Sequence, residues 1–587
     1  MCGIFGYVGP KNASGIVLEG LKRLEYRGYD SWGIAVKDGA FLRVDKHVGK
    51  IGQAKTSLPK SNLGIGHTRW ATHGGVTVEN AHPHLDCTKT LALMHNGIVE
   101  NFQELKDELI RQGHEFKSET DTEVIVHLIE ENLKASGFAT AVRDAFRKLK
   151  GLNAVIVAYA LSSEIIAAKN GSPLVLGQGE KEEFFIASDA VGILKHTNKV
   201  IFLEDDQMAI LGQKIQLINI ESGAVIKPKV HTLSWKFEEA EKGAFEHFTL
   251  KEIFEQPHVL ENIALNYDSP TKNLSELIDK AFGTFMVACG SAAHAALTGT
   301  YLFSSINKKH INFSVGSEFN YLQDFLTKGS LVIPISQSGE SVDVIEPVIN
   351  SKKRGAKIAA LVNVLGSTIY RQADFNVLIG AGPEKAVVAT KSLVAMVAVL
   401  LLTSYTLAKK QTDGKKLLLK ASENVKAILK PGYISHIKAL AEKLKSKEHI
   451  FIIGRGLSYP AALEASLKIK EAACVHAEGF AGGELKHGVI ALIEKGTPCI
   501  CIVPNDETFD DTISNAQELK ARGAFLIGIG PKSNSVFDVF LETADIAEAT
   551  MIPQIVISQL LAYYLALERG IEDPDKPRNL AKSVTVK

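Results

Sequence analysis

A cysteine at position 2 heads the apolar run of "MCGIFGYVG". Because cysteine is small, Met1 is expected to be removed, leaving a thiol and a free α-amine on the same residue. An α-amine titrates at about 7.7–8.0. It can therefore take the thiol proton directly or through one water, so that one terminal residue supplies both nucleophile and base. By position alone, a buried structural cysteine in a strand is the competing reading. Nearby motifs add partners. "GHTRWATHG" gathers Arg69, Trp70, Thr72 and His73, and a guanidinium suits a carboxylate, which it can grip with two parallel hydrogen bonds. "HNGIVEN" sets Asn96 beside Gly97, a side-chain amide next to a backbone N–H, as an oxyanion hole requires. Asp121 precedes a helical pattern, where by itself it reads as an N-cap. His67, His73, His82, His84 and His95 show no metal-binding spacing, and no metal site is expected.

A second group lies further along. "SLVIPISQSGES" runs a strand into Ser336, Gln337, Ser338 and Ser341 before a helix. Hydroxyls and backbone N–H groups at a helix N-terminus form an anion site, and a phosphate is the expected occupant. Cys289, Gly290 and Ser291 form the preceding turn of the same repeat. In "ALEASLKIKEAACVHAE", Glu464, Lys468 and Glu471 fall at i, i+4 and i+7 on one helix face. An exposed ladder would be a salt-bridge pattern. The Ala- and Leu-rich flanks point instead to burial, where such a set can move protons. His487 in "GELKHG" adds a group suited to acid–base work near neutrality. Lys582, near the end of the sequence, is an amine able to form a Schiff base if desolvated.

The elements that must hold these groups are α/β throughout. Up to about residue 230, strand-like segments alternate with the amphipathic stretches "NFQELKDELIRQGH" and "DTEVIVHLIEENLKASG", as in a layered sheet-and-helix domain. A charged stretch, 236–257, reads as a linker feeding a helix. Beyond it the chain follows doubly wound strand–helix alternation and repeats itself. "TFMVACGSAAHAAL" and "IFIIGRGLSYPAAL", about 165 residues apart, are each a strand, a glycine turn and an alanine-rich helix. The segment between the copies, near 413–432, reads as helical. Lys+Arg and Asp+Glu are both 66, so no net charge favours nucleic acid or an acidic membrane. Six cysteines without a CxxC pair argue against a disulfide scaffold. With no signal-peptide pattern, and with 392–408 read as a buried core helix, a cytoplasmic protein without membrane association is expected.

"MCGIFGYVG", "RLEYRGYDSWG", "GHTRWATHG", "HNGIVEN" and "SETDTEV", in this order, resemble the class II glutamine amidotransferases, which are N-terminal-nucleophile hydrolases. "SQSGES", "LKIKEAACVHAE", "GELKHG" and "PRNLAKSVTV" extend the resemblance over nearly the whole chain, to the glutamine–fructose-6-phosphate aminotransferase (isomerizing) family. The resemblance implies an αββα glutaminase domain over 2–217 and two doubly wound sugar-isomerase (SIS) domains over 274–414 and 440–577. It implies that Cys2 attacks the glutamine amide, with Asn96 and Gly97 stabilising the oxyanion. Arg69 and Asp121 would bind the α-carboxylate and α-amine of glutamine, with Trp70, Thr72 and His73 in the same site. Cys289, Gly290, Ser291, Ser336, Gln337, Ser338, Ser341, Val387 and Ala581 would hold the sugar phosphate. Glu471 would move the proton between C1 and C2 with Lys468 nearby, Lys582 would form the Schiff base, and His487 would open the sugar ring from a neighbouring subunit. It further implies a homodimer, no cofactor, and a channel for ammonia. Two departures bear on the substrate: the family's CGTS reads "CGSA" with Ala292, and its VASTK reads "VVATK" with Ala389. The same chemistry on another ketose phosphate is the enzymatic alternative. A sugar-phosphate-sensing regulator is a further alternative, but it would not need Cys2, Glu471, His487 and Lys582 together.

Overall fold

A computed structural model describes residues 2–584 other than 234 and 236. The chain divides into two compact units, one formed by residues 1–241 with 581–587 and the other by 242–580.

The first unit is built on two antiparallel sheets. Gly3–Val8 lies at the middle of an eight-stranded sheet, between Phe184–Ala187 and Leu63–Arg69. The second sheet has seven strands, with Leu91–Gly97 and Asn153–Tyr159 paired residue for residue. Strand alternation sorts their side chains onto opposite faces. Ala92, Met94, Ala154 and Ile156 point inward to a core shared with Ile4, Ala35 and Ile65 of the first sheet. Leu91, Leu93, Val155 and Val157 point outward, where helices Glu123–Leu133 and Phe138–Arg147 cover them. Helix Ala13–Leu24 covers the outer face of the first sheet, resting on Gly3–Val8 and Leu63–Arg69. The result is the helix–sheet–sheet–helix sandwich read from the sequence.

The second unit opens with helix Phe248–Asn266, which takes in the latter half of the stretch read as a linker and runs through Pro257. Asp575 receives the backbone N–H groups of Phe248 and Thr249, both at 2.7 Å, and so caps this helix from far along the chain. Two five-stranded parallel sheets follow, with the same order. In the first, Asn312–Val315 and Ser330–Ser336 flank Gly283–Ala288. In the second, His476–Ala481 and Pro498–Ile502 flank His449–Gly454. Both orders are 2-1-3-4-5, so the sequence repeat is a structural repeat. Helices Gln411–Ile428 and Pro431–Leu444 span the connection. One apolar core runs through both copies, drawing on Leu393–Leu402 and on Ile555, Leu560 and Leu561.

The stretch read as a buried core helix is Lys391–Leu407, and Leu393–Ser404 are all buried. A longer apolar helix, within 547–568, was not singled out from the sequence. It is long and apolar enough to cross a membrane, but 94% of its apolar window is buried inside the protein.

Candidate active sites

Cys2 sits at the mouth of the central strand of the first unit, and the geometry around it is specific. The Trp70 N–H donates to Cys2 Sγ at 3.2 Å, and Asn96 Nδ2 donates to the Cys2 carbonyl at 3.0 Å. The cleft is lined by Cys2, Arg69, Trp70, Thr72, His73, Asn96, Gly97 and Asp121, so the structure brings together every glutamine-site residue named from the motifs. Met1, on which the free α-amine depends, lies outside the described residues.

Asn96 and Gly97 end the strand Leu91–Gly97. Gly97 adopts φ +139°, and a Cβ there would meet the Leu152 carbonyl oxygen at 2.1 Å, so only glycine fits. Which way the Asn96 amide faces is decided by His67. Burial pushes His67 down to about 3, so the ring is neutral. Its Nε2 lies 3.2 Å from Asn96 Oδ1 and 3.1 Å from the His95 carbonyl. Two oxygen acceptors require that nitrogen to carry the proton. Asn96 therefore points its oxygen at His67 and its NH2 at Cys2. His82 stacks on His67, with ring centroids 4.2 Å apart, and its Nε2 meets Thr122 Oγ1 at 3.1 Å. His95 joins Thr122 Oγ1 to Asn153 Oδ1, each at 2.9 Å. His67, His82 and His95 thus hold the oxyanion strand and the Thr122 end of the turn that carries Asp121.

Asp121 is buried and accepts the Val99 N–H at 2.7 Å; it is not the cap of the following helix, whose flanking residue is Thr122. The Arg69 guanidinium donates to the carbonyls of His73, Gly74 and Gly75 and so fixes the turn that closes one side of the cleft. Trp70 packs edge-on to Tyr29 at 5.3 Å. Trp32, the bulky departure in "GYDSWG", is buried and stacks on His47. Thr120, Thr122 and Ser172 also line the cleft and were missed from the sequence. So do Ser583, Val584 and Ala581, the last of which the motifs had grouped with the sugar-phosphate residues.

In the second unit the candidate phosphate loop follows strand Ser330–Ser336, and the Cys289–Ser291 turn follows its neighbour Gly283–Ala288. In a 2-1-3-4-5 sheet the chain reverses direction between these two strands, which leaves a crevice at their C-terminal ends where ligands bind. Ser336 Oγ accepts the Gly339 N–H at 3.0 Å and Ser338 Oγ the Glu340 N–H at 3.1 Å, which curls the loop. Ser341 flanks helix Val342–Lys353 without capping it, so its hydroxyl is not committed to the helix end. Cys289 is partly buried, and burial raises its thiol above the ordinary range, as suits a packing role. Val387 donates its N–H to the Asp575 carbonyl at 2.9 Å.

Helix Ser458–Ala473 of the second copy reaches this crevice. Lys468 and Glu464 are fully buried, which rules out the surface-ladder reading. Lys468 Nζ lies 2.5 Å from Glu471 Oε2 and 3.0 Å from Ser291 Oγ. Glu464 accepts from Ser291 Oγ at 3.0 Å and lies 2.7 Å from His294 Nδ1. Burial alone would push Lys468 down, but Glu464 and Glu471 outweigh it and hold the amine above its usual value. Burial would likewise raise Glu464, and Lys468 and His294 hold it below the ordinary carboxylate range. Ser291 and His294 therefore tie the crevice of one copy to the charged helix of the other, a role no motif had given His294. The equivalent crevice of the second copy is lined by Asp506, Glu507, Asp545 and Glu548, carboxylates that would repel a phosphate. His487 is exposed at the end of the turn Gly482–His487.

The two units define an amidotransferase joined to tandem sugar-isomerase folds. Residues 67–195 match the glutamine amidotransferase domain family, and 277–404 and 443–569 each match the SIS domain family. The glutamine–fructose-6-phosphate aminotransferase [isomerizing] of Thermococcus kodakarensis is 45% identical over the full length of both chains, and that of Pyrococcus horikoshii 44%. The solved C-terminal domain of the glucosamine-fructose-6-phosphate aminotransferase from Francisella tularensis covers 56% of this chain and 98% of its own, at 32% identity and TM-score 0.53. The chain belongs to the glutamine–fructose-6-phosphate aminotransferase (isomerizing) family.

Proposed function

We propose that the chain uses glutamine to aminate and isomerise fructose 6-phosphate, giving glucosamine 6-phosphate and glutamate, with the chemistry divided between its two units. In the first, Cys2 Sγ adds to the side-chain carbonyl carbon of glutamine, and Asn96 Nδ2 and the Gly97 N–H receive the oxyanion. Collapse expels ammonia and leaves a thioester, which water cleaves to glutamate. Arg69 and Asp121 hold the charged end of the substrate. In the second unit, Ser336, Gln337, Ser338 and Ser341 bind the phosphate at the crevice, with the Cys289–Ser291 turn and Val387 beside it. For the amination, Lys582, which groups with the first unit, condenses with the C2 ketone, ammonia replaces it as the C2 imine, and Glu471 carries a proton from C1 to C2. The imine step releases the water that glutamine hydrolysis consumes, so the overall reaction balances.

The observation that carries this reading is the buried Glu464–Lys468 pair, with the partly exposed Glu471 beside it, meeting Ser291 at the phosphate crevice, in a chain whose other unit surrounds Cys2 with hydrogen-bond donors. We take the domains as 2–217, 274–414 and 440–577. The exposed His487 suits a group lent to a neighbouring chain in a homodimer, and we take the protein as cytoplasmic. The test is glutamine-dependent formation of glucosamine 6-phosphate by purified protein across a panel of ketose phosphates, alongside Cys2→Ala. Loss of glutamate release with retained fructose 6-phosphate binding is expected for that variant. Preferred turnover of a different ketose phosphate would favour the alternative substrate raised by Ala292 and Ala389.

A further inference from the structure

Four side chains from three separate segments of the first unit converge away from the Cys2 cleft. Cys87 lies in the turn between His84–Leu85 and Leu91–Gly97, His114 lies just beyond helix Phe102–Arg111, and His127 and Glu130 share helix Glu123–Leu133. Their ligand atoms all fall within 4.8 Å of one another. Cys87 Sγ is 3.8 Å from Nδ1 of both His114 and His127, and Glu130 Oε2 is 3.0 Å and 2.9 Å from the same two nitrogens. A tetrahedral zinc ion with bonds of about 2.3 Å to sulfur and about 2.0 Å to nitrogen and oxygen sets S···N edges near 3.5 Å and N···O edges near 3.3 Å. The four S···N and N···O edges measured here lie within a few tenths of an ångström of those lengths, and the remaining two edges are no longer than 4.8 Å.

The outer contacts point the same way. His114 Nε2 faces Glu131 Oε2 at 3.0 Å, and His127 Nε2 faces Glu123 Oε1 at 3.7 Å. Each ring therefore has a carboxylate on both nitrogens. Two neutral imidazoles cannot donate to carboxylates on both sides. A cation at the Nδ1 side resolves this, because each neutral ring can then bind metal through Nδ1 and donate its Nε2 proton to Glu131 or Glu123. That carboxylate–histidine–metal arrangement is how zinc ligands are usually oriented. With a thiolate and one carboxylate, the donor set carries two negative charges, which a divalent cation neutralises. The turn presenting Cys87 is also preformed: Asp86 Oδ1 accepts the N–H groups of Thr90 and Leu91, both at 2.7 Å.

We infer that Cys87, His114, His127 and Glu130 form a structural site for a borderline divalent metal, zinc in the first instance. All four positions are taken by protein, so the ion acts as a clamp and not as a Lewis acid. It would lock helix Glu123–Leu133, whose N-terminus carries Asp121 and Thr122 to the glutamine cleft, to the two loops behind it.

The experiment is performed on full-length protein carrying Cys2→Ala, so that metal captured by the nucleophile is not counted. Protein produced with added zinc and dialysed against a weak chelator should retain about one zinc per chain. Replacing zinc with cobalt should give the visible spectrum of a tetrahedral site with a thiolate-to-cobalt band in the near ultraviolet. Cys87→Ser should abolish that band, and Cys87→Ser with His127→Ala should reduce metal content to about a tenth or less. Strong chelation should lower the thermal unfolding midpoint reversibly. Zinc well below stoichiometric, or full metal content in the double variant, overturns the assignment. Should the double variant fail to fold, the cobalt spectrum of the parent decides: octahedral bands, or no thiolate band, also overturn it.

Discussion

Replacing Asn96 tests the first site most directly. Its Nδ2 donates to the Cys2 carbonyl at 3.0 Å, closer than Arg27 Nε and Ser188 Oγ, each at 3.4 Å, and His67 fixes its orientation. Removing one preorganised oxyanion donor from such a site costs about 2.7–4 kcal/mol, or roughly 10²–10³ in kcat. Asn96→Ala should therefore lower glutaminase kcat by about that factor. KM should change little, because Arg69 and Asp121 hold the other end of glutamine. Asn96→Asp keeps the shape but sets a carboxylate where negative charge develops, so its loss should be at least as large. The same amide also steadies Cys2, and a positioning defect must be separated from loss of the oxyanion donor. The rate of Cys2 alkylation by iodoacetamide does this: alkylation needs the thiol but no oxyanion hole, so it should stay close to wild type. A kcat within tenfold of wild type, or an alkylation rate that falls in step with kcat, would refute the assignment.

Lys582→Ala should spare glutamate release and stop sugar amination, and borohydride trapping with fructose 6-phosphate should label a peptide containing Lys582; a label elsewhere moves the Schiff base. Ala292→Ser should restore a donor at the first turn of helix Ser291–Asn307. A hydrogen bond to a charged group is worth about 1.5–3 kcal/mol, so KM for fructose 6-phosphate should drop roughly tenfold to a hundredfold with kcat little changed. An unchanged or higher KM would mean that the site has been rebuilt for another sugar. Burial holds His67 and His84 at about 3, below the unfolded value of about 6.5, so the unfolded chain takes up their protons first as pH falls. Their contribution is complete above pH 6.5 and is lost as pH falls toward 3, at up to about 1.4 kcal/mol per pH unit for each. Denaturant melts should show stability falling by about 1.6 kcal/mol per histidine between pH 6.5 and 5, and a flat profile would contradict the neutral-ring assignment.

Much of this was legible before the fold was seen, and the reasons are local. The Cys2, Arg69 and Asn96 motifs sit at strand ends, and Asp121 in the turn before a helix, where a short run of sequence fixes both the element and the direction of the side chain. Glu464, Lys468 and Glu471 share a helix face by spacing alone, and their Ala-rich flanks foretold burial. What stayed hidden depends on contacts between distant segments. His67 looked like a stray histidine, because its role is set by Asn96, 29 residues on. His294 gained meaning only when two repeats brought their helices together. Cys87, His114, His127 and Glu130 are separated by 27, 13 and 3 residues, a spacing that matches no metal motif. Asp575 caps a helix more than 300 residues earlier, which no local pattern could announce.

The identical strand order of the two repeats has an evolutionary reading. After duplication the copies divided the labour. The first kept an anion-binding crevice with its serine loop, while the matching loop of the second became acidic and its helix gave Glu464 and Lys468 to its sister. Because a single apolar core runs through both, separating the copies would expose part of that core to water. A gene split between the repeats should therefore yield two fragments that work only when co-expressed, and selection on either crevice must be read as selection on the pair.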